Sequence, residues 1–158
     1  MREDIQPHGY LTERILLERP RIVIADDSSE ILSLVTKLLS GRYNVVARAL
    51  NGKQAVDAVL QLNPDVLVMD IEMPEMDGIE AARRLQSTGS ATKIVFLTGL
   101  EEADYVSTVL KLGPHSYVFK TRCHIDLRLA ITAALQGKTF CSSRRDGTHI
   151  IPRNASPQ

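Results

Sequence analysis

The sequence predicts an α/β protein: an open, doubly wound parallel sheet of five strands with helices on both faces. Three observations carry that expectation. Five short apolar runs, rich in β-branched residues, alternate with five segments of helical period between residues 21 and 138. Strands that alternate with helices pair in parallel through right-handed crossovers, which cover both faces of the sheet. The alternating region is also less than half of the roughly 250 residues that a closed eight-fold barrel needs, so the sheet stays open.

The elements follow in order. Arg21 to Ala25 is nearly continuous in apolar character and ends at Asp26-Asp27. Ile31, Leu34, Val35 and Leu38 then recur at helical spacing on one face of a first helix, which Gly41 closes. Residues 43–49 read as a second strand, ending at Ala49-Leu50 with nothing reactive. Asn51-Gly-Lys-Gln54 opens a second helix with Ala55, Ala58, Val59 and Leu62 on its inner stripe, and Asn63-Pro64 breaks it. Residues 66–69 form a third strand ending at Asp70, and Met73-Pro74 turns the chain. Asp77-Gly-Ile-Glu80 has capping-box spacing, with Asp in place of Ser or Thr, and opens a third helix carrying Ile79, Ala82 and Leu85. Residues 94–97 make a fourth strand ending at Thr98, and a fourth helix spans about 101–112. Residues 117–119 make a fifth strand ending at Lys120. Leu127, Ala130, Ile131 and Ala134 mark a fifth helix that stops at Gly137.

Composition bounds the rest. The chain has 158 residues, 44% hydrophobic and 24% charged, which excludes a disordered or collagen-like chain. Nineteen basic residues meet nineteen acidic ones, so there is no bulk electrostatic case for nucleic-acid or membrane-surface binding. Cys123 and Cys141 are too few for a disulfide framework and are expected as free thiols. No apolar run approaches the roughly 18 residues of a membrane span, and the start lacks signal-peptide character. The expectation is a cytoplasmic protein with an N-terminal extension over 1–20, a domain over 21–138 and a flexible tail over 139–158. Ile15, Leu16 and Leu17 allow a short helix in the extension. Arg144-Arg145 is too short to be a nucleic-acid patch.

Sites in open α/β sheets form at the carboxyl ends of the strands. Those ends here are Asp26, Asp27, Asp70, Thr98 and Lys120. Three carboxylates at one edge repel each other, and one lysine offsets only one charge, so the cluster takes up a proton or a cation. Oxygen ligands at a phosphate-handling site favour Mg²⁺, with Mn²⁺ as a substitute. The remaining carboxylate can attack phosphorus and form an acyl phosphate. Phosphoryl transfer needs mainly positioning and charge neutralisation, which Mg²⁺, Lys120 and Thr98 supply, while Gly99 leaves room for the phosphoryl group.

The segments Ile-Ala-Asp26-Asp27, Asp70-Ile-Glu-Met-Pro-Glu-Met-Asp-Gly78, Phe-Leu-Thr98-Gly and Tyr117-Val-Phe-Lys120 resemble the receiver domain of two-component response regulators over about residues 21–138. The resemblance implies a flavodoxin-like sheet in the order 2-1-3-4-5. It assigns Asp70 as the residue phosphorylated by a histidine kinase or a phosphotransfer protein. Asp27 would bind Mg²⁺ directly, Asp26 mostly through water, and Asp70 itself and the Glu72 backbone carbonyl would complete the ligands. Thr98 would be the switch hydroxyl, Tyr117 the aromatic that moves inward behind it, and Lys120 the partner of the phosphate. The fourth helix, fifth strand and fifth helix, about 101–136, would form the responding face and offer a route to a homodimer. Thr121 stands where the family usually has Pro, so the isomer of the Lys120–Thr121 bond is open. Pro114 and Ser116 stand where small residues are common. Glu72 and Leu100 flank the route of the hydrolytic water. Lys120-Thr121 and Gly137-Lys-Thr-Phe-Cys-Ser142 resemble the branch that carries a helix-turn-helix effector.

Plainer roles stand beside these. Asp27-x-x-Glu30 has the spacing of a helix cap, and Asp77 reads as a cap rather than a ligand. Thr98 and Tyr117 are also ordinary strand residues, and Lys120 alone would be a solvated edge lysine. His115 and His124 read as surface residues, and His8 and His149 receive no role. The leading expectation is a phosphorylation switch with an unknown output protein, no direct nucleic-acid contact, no membrane and no multiple-turnover substrate. The alternatives are a truncated DNA-binding regulator, an aspartate-nucleophile phosphatase, for which Asp70-x-Glu72 is a loose echo, and a degenerate receiver that only binds a partner.

Overall fold

The structure, a computed structural model, describes residues 19–143. The expected N-terminal helix and the Arg144-Arg145 segment lie outside the described residues. The elements are β1 (Arg21–Ala25), α1 (Ser29–Leu39), β2 (Asn44–Ala49), α2 (Gly52–Leu62), β3 (Val66–Met69), α3 (Gly78–Ser87), β4 (Lys93–Thr98), α4 (Ala103–Lys111), β5 (Ser116–Phe119), a short 3₁₀ turn (Lys120–Arg122) and α5 (Cys123–Leu135). All strand pairs are parallel, in the order β2-β1-β3-β4-β5.

Alternation along the strands sorts their side chains into two cores. Val23, Ala25, Leu67, Met69, Phe96, Tyr117 and Phe119 face α2, α3 and α4. Ile22, Ile24, Val66, Val68, Val95, Leu97 and Val118 face α1 and α5. Complete burial of a side chain such as Leu67 or Phe96 contributes roughly 1.5–3 kcal/mol. These strands therefore read as unbroken apolar runs because both faces are dry.

The helices keep their predicted order with shifted faces. Val35 is buried in α1 as expected, but Leu34 is 45% exposed, and Leu32 and Leu39 complete the inner stripe. Ser28, not Asp27, caps α1 by accepting from the Ile31 N–H. Asn51 and Asp77 cap α2 and α3 in the same way. No side chain caps α4, and only Val106 and Val109 of that helix are buried.

The domain does not stop at 138. After Gly137 the chain returns to the free edge of β5. Tyr117 N–H donates to the Phe140 carbonyl and Ser142 N–H to the Tyr117 carbonyl, each at 2.8 Å. Phe140 N–H donates to Ser116 Oγ at 3.0 Å. An edge strand presents unpaired backbone groups, and the residues expected to begin a flexible tail satisfy them instead. Ser116 thus has an identifiable task as an acceptor. His115 is also not a plain surface residue: it is half-buried and meets Phe96 edge-on, with ring centroids 5.8 Å apart. Among the described residues no helix is long and apolar enough to cross a membrane.

Candidate functional site

The parallel register brings the strand ends together. Ala25 lies opposite both Ala49 and Met69, Met69 opposite Phe96, and Thr98 opposite Phe119. The next residues, Asp26, Asp70 and Lys120, therefore emerge at one edge. Backbone bonds hold the first two there: Asp26 N–H donates to the Ala49 carbonyl at 3.0 Å and Asp70 N–H to the Ala25 carbonyl at 2.9 Å.

Carboxylate oxygens of Asp26, Asp27 and Asp70 all lie within 4.8 Å of one another. Asp26 and Asp70 are buried and Asp27 is exposed. Lys120 Nζ reaches Asp26 Oδ2 at 2.8 Å and Asp70 Oδ2 at 2.9 Å. The other oxygens of the buried pair are held by backbone donors, Asp26 Oδ1 by Ser28 N–H at 2.8 Å and Asp70 Oδ1 by Ile71 N–H at 2.7 Å.

The charges do not balance. At no more than 4.8 Å, two ionised carboxylates repel by at least about 3.5 kcal/mol at an effective dielectric of about 20. Burial pushes the Asp26 carboxyl above the usual range. The Asp70 charge adds to this, while Lys120 and the Ser28 N–H oppose it. Burial alone would lower the Lys120 ammonium, but Asp26 and Asp70 outweigh it and hold the amine above its ordinary value. Three oxygen donors around an excess of negative charge fit a hard divalent cation.

The β3–α3 loop shapes the other wall. Gly78 N–H donates to the Ile71 carbonyl at 2.7 Å, and a Cβ at Gly78 would sit 2.1 Å from the Asp70 carbonyl oxygen. Glycine at this position lets the start of α3 close on the Asp70 backbone. Asp27, Glu72, Met73, Pro74, Asp77 and Tyr105 are among the residues lining an open cleft of about 570 Å³ beside the acids. The Glu72 side chain is exposed.

Thr98 is buried, and its hydroxyl accepts from Leu100 N–H at 3.2 Å. Tyr117 is fully buried, and its hydroxyl donates to the Leu100 carbonyl at 2.5 Å. Burial pushes the Tyr117 phenol far above its ordinary value. Gly99 is exposed, with open space where a Cβ would point. Among the described residues there is no cis peptide bond, so Lys120–Thr121 is trans within the 3₁₀ turn.

Three neighbours were not anticipated. Arg122 Nε donates to Asp126 Oδ2 at 2.8 Å, and Ser142 Oγ donates to the same oxygen at 2.7 Å. Asp126 and Ser142 are both buried. The visible signal was a charged residue within the apolar stripe of the fifth helix, four positions after an arginine. Cys123 and Cys141 are free, as expected, and belong to cores on opposite faces of the sheet.

Known proteins share this fold. The family model of the response regulator receiver domain matches residues 22–132. The uncharacterized transcriptional regulatory protein YvfU of Bacillus subtilis is 37% identical over 124 residues, covering 77% of this chain and 62% of YvfU. The transcriptional regulatory protein DesR of the same organism is 37% identical over 119 residues, covering 74% of this chain and 59% of DesR. The chain therefore spans about three-fifths of these relatives. Among solved structures, the isolated receiver domain of RcsB from Salmonella enterica serovar Typhimurium, with a phosphomimetic, superposes with a TM-score of 0.72 at 27% identity. That match covers 79% of this chain and 94% of the other. The receiver domain of NarL from Mycobacterium tuberculosis gives 0.73 at 28% identity, over 77% and 99%. The matched span, the strand order and the acidic edge agree: this chain belongs to the response regulator receiver domain family.

Proposed function

We propose that the chain is a phosphorylation switch in which Asp70 accepts a phosphoryl group from the phosphohistidine of a kinase or phosphotransfer protein. The observation that carries this reading is the convergence of Asp26, Asp27 and Asp70 at one edge, with Lys120 paired to both Asp26 and Asp70. An Asp70 carboxylate oxygen attacks phosphorus. The phosphorus–nitrogen bond breaks, its electron pair leaves with the imidazole, and an acyl phosphate remains on Asp70. Lys120, already at 2.9 Å from Asp70 Oδ2, neutralises developing charge on the phosphoryl oxygens. Asp26, Asp27, Asp70 and the Glu72 carbonyl would hold Mg²⁺ or Mn²⁺, which when bound would supply positive charge to offset that of the acids and the phosphoryl oxygens. Asp26 uses Oδ1 to hold the β1–α1 turn, so its contribution to the ion is electrostatic as much as ligating.

The response runs toward the 101–136 face. Thr98 and Tyr117 both bond Leu100, through its N–H and its carbonyl. Movement of the Thr98 hydroxyl toward a phosphoryl oxygen releases one of those bonds and disturbs the loop that leads into α4. That helix has no side-chain cap and few buried residues, so it shifts at low cost. The output is contact with a partner protein or a second copy through this face. RcsB is recorded as dimers bound to DNA. YvfU and DesR are named as transcriptional regulators, and their length beyond the matched region leaves room for an effector this chain's described residues do not contain.

Incubation with acetyl phosphate and Mg²⁺ tests the reading. One phosphate per chain is expected, lost in Asp70→Asn. Sustained turnover of phosphomonoesters would replace it with the phosphatase reading, and metal binding without labelling would replace it with the degenerate one.

A further inference from the structure

Lys120 must project from a turn, and something has to fix that turn. The turn has no proline and is trans at Lys120–Thr121. Its residues are mostly half-exposed, and Thr121 adds only a 3.3 Å contact to Glu101. The firm attachments lie on either side of Lys120 and meet at one hydroxyl. Upstream, Phe119 N–H donates to Ser142 Oγ at 3.2 Å. Downstream, Arg122 Nε donates to Asp126 Oδ2 at 2.8 Å, and Ser142 Oγ donates to that same oxygen at 2.7 Å. Ser142 is fully buried. It is held there because Phe140 and Ser142 bond the backbone of Tyr117.

We infer that Ser142, Asp126 and Arg122 are positioning residues of the phosphoryl site: the segment Phe140–Ser142, strapped to the β5 edge, clasps the 120–122 turn and sets the reach of Lys120 toward Asp70. The inference rests on the phosphoacceptor reading above. Its physical basis is that Lys120 acts through placement. An ammonium at 2.9 Å from Asp70 Oδ2 is useful only while its stem starts from the right place, and small misplacements of a catalytic group cost large factors in rate. Ser142 contributes one donor to Asp126 and one acceptor to Phe119, so its hydroxyl joins the two sides of the turn. Without it, the buried Asp126 carboxylate loses a charge-assisted hydrogen bond and the Phe119 N–H loses its acceptor. The strap is thereby part of the site although it lies more than 20 positions along the chain from Lys120.

The test uses the full chain with Ser142→Ala and, separately, Arg122→Gln, which keeps a hydrogen-bonding side chain at a half-exposed position and gives a second readout should the buried variant not fold. Each is titrated with Mg²⁺ alone and with beryllofluoride at saturating Mg²⁺, followed by amide NMR. Labelling by acetyl phosphate is resolved into half-saturation and maximal rate. Mg²⁺ affinity depends on the carboxylates and should stay within about twofold of the parent. Beryllofluoride affinity and maximal labelling rate depend on Lys120 and should fall about tenfold, the scale of one lost charge-assisted hydrogen bond. A purely structural role lowers the melting temperature and leaves beryllofluoride affinity within about twofold in both variants, which overturns the inference. If the parent itself neither binds beryllofluoride nor takes up phosphate, the phosphoacceptor reading fails first and takes the inference with it.

Discussion

Gly78→Ala is the sharpest structural perturbation of the site that leaves every charged group in place. A Cβ at this position would lie 2.1 Å from the Asp70 carbonyl oxygen and 3.0 Å from the Ile71 Cα. Ordinary contact begins at 3.4 Å, so the first residue of α3 and the backbone after β3 must separate by about 1.3 Å. Neither side has slack. The Asp70 N–H is bonded to Ala25, and Gly78 N–H to Ile71 at 2.7 Å. The offending atoms are backbone, so no rotamer change relieves them. Overpacking of this kind costs about 3 kcal/mol, and a chain of this size loses about 2–4 °C per kcal/mol, so the melting temperature should fall by roughly 10 °C. Asp70 is carried on the same displaced backbone, so acetyl phosphate labelling should slow even where the variant remains folded. Gly99→Ala is the control for stability: nothing lies within 4 Å of its added methyl, and its melting temperature should stay close to that of the parent. The assays are thermal unfolding by circular dichroism and initial labelling rate at a temperature where both variants are folded. A Gly78→Ala protein that melts with the parent and labels at its rate would refute the close approach, and with it the account of how α3 frames Asp70.

Two further outcomes follow from the electrostatics. Lys120→Met removes the one cation among the described residues that reaches both Asp26 and Asp70, so the metal-free protein should lose about 1–3 kcal/mol, and millimolar Mg²⁺ should restore most of it. Urea unfolding with and without Mg²⁺ measures both, and a loss that Mg²⁺ does not repair would argue against a cation site. Asp26 gives a pH signature. Its folded carboxyl is held above the ordinary range, chiefly by burial, so the folded state keeps that proton to higher pH than the unfolded chain does. Metal-free stability should therefore fall as pH rises from the ordinary carboxylate range through the folded value of Asp26. Asp26→Asn should flatten that part of the profile, and an unchanged slope would assign the effect to another group.

Much of the architecture was legible because its signals are local. Apolar runs of four to six residues separated by segments of helical period define β1 to β5, and Asp77 declares the start of α3 through its spacing to Glu80. The reactive residues were legible for a related reason. In a parallel sheet every strand ends at the same edge, so reading the residue after each strand lists the site. Local pattern fared worse where two faces compete. Leu34 matched a helical stripe as well as Leu32 did, and only packing against α5 and the sheet decides which one is inside. Asp27 had the spacing of a cap, yet the structure gives that place in α1 to its neighbour Ser28. The burial of Asp26 against Lys120 leaves Asp27 at the mouth of the cleft and gives the cap to Ser28.

The chain by itself determined the fold class, the order of its elements and the identity of the acids, because hydrophobic period and residue type at strand ends are written in sequence neighbours. Tertiary structure decided what the free edge of β5 would pair with. It also decided that Asp126 would be buried beside Ser142 and that Gly78 would meet the Asp70 backbone. Those relations join residues far apart along the chain, and an unpaired backbone edge or a buried carboxylate acquires its partner only when folding has excluded water from both.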